Sequence, residues 1–236
     1  QVKIGSATKR WQAAYELSKV LNNPKTIPTD ISFKGQMISS YKHSINDDPL
    51  VRAYLAIAMG ATGDNYYAEE LIVGLKDDSR ESRLASIQAV GMVKALEALP
   101  QLGRIVTKSD YPDERLAATM AIGFIGSPSS IPILKELLED EEPNIRWDAA
   151  IGLAKMGDKS SAPIIENLMD RDYLSSFPEL DFKEVNKVIM IAIEASKMVQ
   201  DKRFEPKLVL LAETDESLKI RDAAMKTLKN SYNRII

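Results

Sequence analysis

Residues 144–158 read NIRWDAAIGLAKMGD, and this stretch recurs in altered form along the chain. The related stretches are DPLVRAYLAIAMGATGD at 48–64, ESRLASIQAVGMV at 81–93, DERLAATMAIGFIGS at 113–127 and KIRDAAMKTLK at 219–229. Each carries an arginine at the same place, at positions 52, 83, 115, 146 and 221, and the first three intervals are 31, 32 and 31 residues. A regular period of this length is typical of a repeat protein.

The last interval, from Arg146 to Arg221, is 75 residues and must contain a repeat that lacks the arginine. Small residues stand three and six positions after Arg115, Arg146 and Arg221, and a proline stands seventeen after the arginines at 83, 115 and 146. The same spacing places Ile189 in the missing arginine slot. The surplus length falls at about 172–181, DYLSSFPELD, where the proline and the paired serines predict a loop.

The start of the chain follows the same pattern. KRWQAAYELSKVL at 9–21 aligns with the stretch at 144–158, although only half of a first repeat precedes residue 22. Residues 22–32 break the pattern and are predicted to form a second loop. The sequence therefore predicts about six repeats in a single solenoid domain that covers 1–236.

Three kinds of residue mark the turns at fixed distances from the arginine slot. They are a short polar residue six positions before it (Asn46, Asp77, Ser109, Asp140 and Asp215), a glycine eleven after it (Gly63, Gly126 and Gly157) and a proline seventeen after it (Pro100, Pro132 and Pro163). These residues favour a capped helix start, a left-handed helix end and the first turn of the next helix, respectively. A helical hairpin cannot bury its apolar face alone, so we expect stacked hairpins in an all-α fold of the right-handed α-α superhelix class.

The best-preserved repeat resembles a known family. The resemblance is carried by Ile145, Arg146, Ala149, Ala150, Leu153, Gly157, Asp158 and Pro163. This pattern resembles HEAT repeats of the short type shared with phycobilin-lyase subunits, and it implies a helical scaffold with the arginine helices on the concave side. The opening at 9–21 also resembles bacterial HEAT-repeat proteins that carry one N-terminal membrane helix. That resemblance implies a bacterial protein with an upstream membrane anchor, while the compartment itself stays undetermined.

Composition narrows the function classes. The chain of 236 residues has no cysteine, one histidine and a net charge of −3, and no run of about eighteen apolar residues could span a membrane. A thiolate enzyme, a zinc site of cysteines and a histidine-rich metal site are excluded, and we expect His43 to be a surface residue. HEAT-repeat deoxyhypusine hydroxylases bind iron through His-Glu pairs, and this chain has none. We therefore expect no enzyme, no cofactor, no metal site, no nucleic acid and no membrane contact by these residues.

The regular arginines and their acidic neighbours are predicted to be structural. We name these residues the Asp/Arg ladder: Asp77, Arg83, Arg115, Asp140, Arg146, Asp215 and Arg221. In HEAT repeats such an arginine pairs with the aspartate that precedes it and bridges to neighbouring repeats with charge-assisted hydrogen bonds. An arginine that recurs in every repeat serves stacking, which every repeat shares, rather than a ligand.

Apolar residues one, five and nine positions after the arginine slot are the candidate binding site, because HEAT repeats usually have polar residues there. We name them the groove column: Trp11, Tyr15, Ile57, Leu84, Met92, Leu116, Met120, Phe124, Trp147 and Ile151. A spacing of four places these side chains on one helix face. They either form an exposed apolar groove or pack against the next repeat and under the two predicted loops.

Three functions remain after these exclusions. The first is a non-catalytic scaffold that binds a peptide, a helix or a partner protein in the groove, or a second copy of the chain as a homo-oligomer. The second follows from the resemblance to bilin lyases and is a chromophore-handling subunit. The third, a HEAT-like DNA glycosylase, needs a basic concave surface and fits an apolar groove column least.

Overall fold

The computed structural model describes residues 2 and 6–234, except for the side chain of Asn46. Over these residues the chain consists of fourteen α-helices and short 3-10 turns without a strand, so the predicted all-α class is confirmed. The predicted cap at Asn46 and most of the residues before the first helix lie outside the described part. The chain divides into two compact units, Gln1–Ile125 and Gly126–Ile236.

Each unit contains seven of the described α-helices. The first has α1 (Ala7–Leu21), α2 (Ile31–His43), α3 (Pro49–Ala61), α4 (Ala68–Gly74), α5 (Arg80–Met92), α6 (Leu99–Lys108) and α7 (Pro112–Ile125). The second has α8 (Ile131–Glu136), α9 (Pro143–Lys155), α10 (Ala162–Leu168), α11 (Arg171–Leu174), α12 (Phe182–Val199), α13 (Phe204–Thr214) and α14 (Leu218–Ser231). We call α1, α3, α5, α7, α9, α12 and α14 the arginine-slot helices, since each carries that position of the repeat.

Every repeat from α3 to α12 ends its arginine-slot helix at the same place with a residue of positive φ. These residues are Gly63 (65°), Lys94 (53°), Gly126 (63°), Gly157 (72°) and Gln200 (50°). All stand eleven positions after the slot, and a left-handed residue there ends a helix by freeing the chain to turn. Gln200 falls at this position of its repeat only if Ile189 occupies the arginine slot. Its left-handed conformation therefore supports the register predicted for the repeat that lacks the arginine.

In the first unit the arginine-slot helices α1, α3, α5 and α7 pack side by side. Two glycines allow this close approach, because a Cβ at Gly60 would lie 2.8 Å from Ala89 Cα and one at Gly91 would lie 2.8 Å from Ala121 Cα. Any larger side chain at either position would force the helices apart. The backbone spacing of these helices is thus set by two residues without a side chain.

In the second unit the core runs through α9, α10, α12, α13 and α14. Ala149, Ala150 and Leu153, predicted to form the buried stripe of α9, are fully buried. The segment predicted as a loop at 172–181 begins inside the short helix α11 and ends at Asp181, which starts α12 with a capping box to Glu184. Its residues Leu174, Tyr173 and Phe177 pack against this core rather than extending into solvent.

The other predicted loop, 22–32, is partly ordered into secondary structure. It contains a 3-10 turn at Pro24–Thr26, and α2 begins within it at Ile31. Among the described residues no helix combines the length and apolar character needed to cross a bilayer.

Candidate partner-binding surface

Eight of the ten groove-column residues lie on the arginine-slot helices of the first unit. We name them the first-unit column: Trp11, Tyr15, Ile57, Leu84, Met92, Leu116, Met120 and Phe124. Four of them are substantially exposed, namely Tyr15 (37%), Met92 (41%), Met120 (43%) and Phe124 (51%). The other four are half-buried. The column residues therefore form an apolar surface that is partly accessible to solvent and partly packed against the rest of the unit.

Contacts between neighbouring helices join the parts of this surface on α1, α3 and α5. Tyr54, on α3, stacks with Trp11 at a ring-centroid distance of 6.2 Å and meets Tyr15 at 5.0 Å. The ammonium of Lys19 lies 4.1 Å from the centre of the Tyr15 ring. Between α3 and α5, the sulfur of Met92 packs against Gly60 of α3. A Cβ placed at Gly60 would lie 3.3 Å from this sulfur.

Trp147 requires a correction, because it does not belong to an exposed surface. It is 6% exposed, and its ring meets Phe177 edge to face at 4.8 Å and Tyr173 at 6.5 Å. Its Nε1 donates a hydrogen bond to the Tyr173 hydroxyl at 3.3 Å. Ile151 is half-buried against the same core. The segment at 172–181 covers this part of the groove column, which is the burial that the alternative interpretation expected.

The electrostatics beside Trp147 are unusual. Burial raises the pKa of Asp148 from its ordinary value of 3.8 to about 6, and the positive charge of Lys155 opposes this shift only in part. A carboxyl group with such a pKa is often a functional group, but structural sites also produce it. Half-buried on α9 beside Trp147, Asp148 is a group whose ionisation affects the stability of the fold.

The Asp/Arg ladder is present, but its pairing differs from the expectation. Arg83 donates from Nη1 to the backbone oxygen of Asp77 at 2.8 Å, and its Nε donates to Oε1 of Glu114 at 3.0 Å. The carboxylate of Asp77 instead forms an ion pair with Arg52 of the preceding repeat. Each guanidinium therefore binds the backbone of its own repeat and can hold the carboxylate of the following one.

Parts of this arrangement recur at other arginine slots. Arg146 donates from Nη1 to the backbone oxygen of Asp140 at 2.6 Å, and Arg115 donates from Nε to that of Val106 at 2.9 Å. At the start of the chain Arg10 donates from Nε to Asp47 at 2.7 Å, and this bond holds the pKa of Asp47 below its ordinary value.

An arginine outside the repeat pattern replaces the one missing at Ile189. Arg171, in α11, donates from Nε and Nη2 to the two carboxylate oxygens of Asp215 at 2.7 and 2.9 Å. Asp215 was expected to pair with Arg221, whose Nε is buried without a hydrogen-bond partner among the described residues. The segment at 171–181 thus has two roles: Arg171 binds Asp215 in place of a ladder arginine, and the aromatic residues of the segment bury Trp147.

His43 lies at the exposed C-terminal end of α2, as expected for a surface residue, and its Nδ1 is 2.6 Å from the backbone oxygen of Ser39. In the part of the chain that the structure describes, no three or more His, Cys, Asp or Glu side chains are grouped to hold a metal ion.

Sequence reasoning missed four residues of these sites. Tyr54, Arg171, Tyr173 and Phe177 lie outside the positions one, five and nine after the slot, so the repeat register could not select them. Only one signal was available in advance, since Tyr173 and Phe177 are two aromatic residues four positions apart in a segment predicted to be an exposed loop. Two aromatic residues at this spacing can face the same side of a helical turn, which is typical of a segment that packs against the rest of a protein.

Comparison with known proteins identifies the family. Residues 43–123 and 104–175 match the family model of HEAT repeats, so more than half of the chain is covered and the chain belongs to the HEAT-repeat family. The predicted class of a HEAT-repeat α-α superhelix is thereby confirmed. No curated protein matches the sequence.

Solved structures with the same fold extend over nearly the whole chain. The complex of CpcE and CpcF of phycocyanin lyase from Nostoc sp. PCC7120 has 16% identity and a TM-score of 0.60, with 96% of this chain and 84% of that chain covered. YibA of Escherichia coli has 20% identity and a TM-score of 0.58, with 97% and 78% covered. An engineered protein has 18% identity and a TM-score of 0.54, with 83% and 94% covered. At these identities the likeness concerns the fold alone.

Proposed function

We propose that this chain is a non-catalytic HEAT-repeat scaffold that binds a protein partner, a peptide or a helix, on the first-unit column. One observation carries the proposal: helices that pack side by side expose apolar side chains at equivalent repeat positions, namely Tyr15 on α1, Met92 on α5, and Met120 and Phe124 on α7. A contiguous apolar patch on a folded domain commonly marks a site of protein contact.

The residue types suit such a role. Aromatic side chains provide large buried area at little entropic cost, and the flexible thioethers of Met92 and Met120 can adapt to the shape of a partner. The exposed column residues are apolar, which favours a protein surface over a phosphate backbone as the occupant. The complex of CpcE and CpcF joins two proteins, and we propose by analogy that this chain also uses its fold to assemble with another protein.

The proposal can be tested with two methionines of equal exposure. Met120 is 43% exposed within the first-unit column, and Met225, on α14, is 41% exposed outside it. We expect Met120→Glu and Met225→Glu both to fold with melting temperatures within a few degrees of the original chain, since neither charge is buried. Immobilised chains are then exposed to a lysate of the source organism, and captured proteins are quantified by mass spectrometry.

We expect at least one protein to be captured by the original chain and by Met225→Glu and to be reduced at least tenfold with Met120→Glu, which corresponds to about 1.4 kcal/mol. Sedimentation of the three chains tests in parallel whether the partner is a second copy. An identical set of captured proteins and an identical mass for all three chains would refute the proposal.

A further inference from the structure

The second unit contains a covered version of the same surface. Trp147 and Ile151 stand one and five positions after Arg146, as Leu116 and Met120 do on α7. Trp147 is 6% exposed where Leu116 is half-buried, and Ile151 is half-buried where Met120 is 43% exposed. Both positions of the repeat are therefore more deeply covered on α9 than on α7. The segment at 172–181, which covers Trp147 in the second unit, therefore indicates what kind of side chains bind to this type of surface.

That segment presents two aromatic rings, one from the short helix α11 and one from the turn that follows it. Tyr173 and Phe177 stand four residues apart, with ring centroids 5.3 Å from each other. Phe177 meets Trp147 edge to face at 4.8 Å, while the Tyr173 hydroxyl accepts the indole hydrogen bond. Leu174, between the two rings, is fully buried. The short helix α11 and the turn after it are sufficient to present both rings.

The open surface has groups that match such a pair of rings. Met92 and Met120 are partly exposed methionines, and thioethers pack favourably against aromatic rings. Tyr15 and Phe124 are partly exposed aromatic side chains, which favour the kind of edge-to-face contact that Phe177 makes in the second unit.

We infer that the partner of the first-unit column is a peptide segment with two aromatic side chains about four residues apart, on a short helix and the turn that follows it. This inference rests on the proposed function and specifies its ligand. The segment of the partner thus takes the place that Tyr173 and Phe177 take on Trp147 in the second unit.

A library of random 12-residue peptides displayed on phage tests the inference without assuming the partner. The original chain is the bait, and binders that also recognise Met120→Glu are removed. We expect the remaining peptides to be enriched in two aromatic residues three or four positions apart. Their dissociation constants should rise at least tenfold when both aromatics become serine or when Met120→Glu is the bait, and should not change with Met225→Glu.

A direct probe is the synthetic peptide DRDYLSSFPELD, which repeats residues 170–181, beside a version with serine in place of its Tyr and Phe. With ¹³C-methyl methionine, we expect the first peptide to shift the signals of Met92 and Met120 in a saturable manner while Met225 stays unchanged. The serine version should leave all three signals in place.

The outcomes separate this inference from the proposed function. Peptides that require Met120 but lack an aromatic pair would overturn the inference and leave the scaffold function intact. A selection without any Met120-dependent peptide, together with unchanged methyl signals, would also overturn the inference, and the capture experiment with Met120→Glu would then decide the proposed function by itself.

Discussion

Asp148 shows how a single side chain can reduce stability in a HEAT repeat. Its carboxyl group lies next to Trp147 in α9, and burial raises its pKa from 3.8 to about 6. Below pH 4 the group is protonated in both the folded and the unfolded chain and has no effect. Between about pH 4 and 6 the unfolded chain ionises first, so the free energy of unfolding falls as the pH rises.

We predict that Asp148→Asn raises the free energy of unfolding by about 1–2 kcal/mol at pH 7.5 and by almost nothing at pH 3.5. The full shift of about two pKa units corresponds to about 3 kcal/mol, and the partial exposure of the group reduces it. Urea unfolding at both pH values measures the effect. Asp222→Asn is the matched control, because Asp222 is exposed on α14 and its loss should change stability by less than about 0.5 kcal/mol. Equal effects of the two variants would contradict the burial of Asp148.

At the scale of the helix and its neighbouring segment, the stretch at 171–181 has two structural roles. Arg171 provides the guanidinium that the Ile189 repeat lacks, and it holds the carboxylate of Asp215, whose side chain is 1% exposed. Tyr173 and Phe177 cover Trp147. The repeat with Ile189 in its arginine slot therefore keeps an ion pair to the carboxylate of Asp215, because Arg171 of the inserted segment supplies the guanidinium.

Trp147→Glu tests this cover. Because Trp147 is 6% exposed, a glutamate there would bury a charge and remove the packing of Tyr173 and Phe177, and we predict a loss of about 3–5 kcal/mol or a failure to fold. Met120→Glu, at a more exposed place of the same repeat pattern, should lose less than about 0.5 kcal/mol. Urea unfolding of both chains provides the comparison. If the two variants unfold at the same urea concentration, the segment at 171–181 does not cover Trp147 in solution.

The sequence predicted the helices and their register, because both depend on local features. The glycines at 63, 126 and 157 end helices in the left-handed conformation where they were expected. The buried stripe of α9 follows from the helical period alone. These features recur in several repeats, so each copy adds independent support for the same interpretation.

The exposure of the groove column could not be predicted in this way. Trp11 and Trp147 occupy the same repeat position, but one lies against Tyr54 at an open surface and the other lies under Phe177. Their difference arises from a segment outside the repeat, whose path a periodic pattern does not specify. The pairing of the Asp/Arg ladder escaped prediction for a related reason, since the partner of each carboxylate lies in another repeat.

At the scale of the whole molecule, two sets of carboxyl groups act on stability in opposite directions. Ion pairs with Arg10, Lys34 and Lys207 lower the pKa of Asp47, Asp64 and Asp170, respectively, below the ordinary value of 3.8. The folded chain therefore releases these protons more readily than the unfolded chain. Their contribution is complete above about pH 4 and is lost as the pH falls through the lowered pKa values, whereas the effect of Asp148 has the opposite sign and a higher pH range.

Together these groups predict a stability maximum at about pH 4–5, which is more acidic than for most domains. Melting temperatures between pH 2 and 8 should rise steeply up to about pH 4 and then decline by several degrees up to about pH 6.5. In Asp148→Asn the decline of the melting temperature above pH 4 should disappear, while its rise below pH 4, which we call the acid limb, should remain. In Lys34→Met the acid limb alone should become shallower, because Asp64 loses the ammonium that lowers its pKa. A melting temperature that keeps rising between pH 5 and 7 in the original chain would contradict the raised pKa of Asp148.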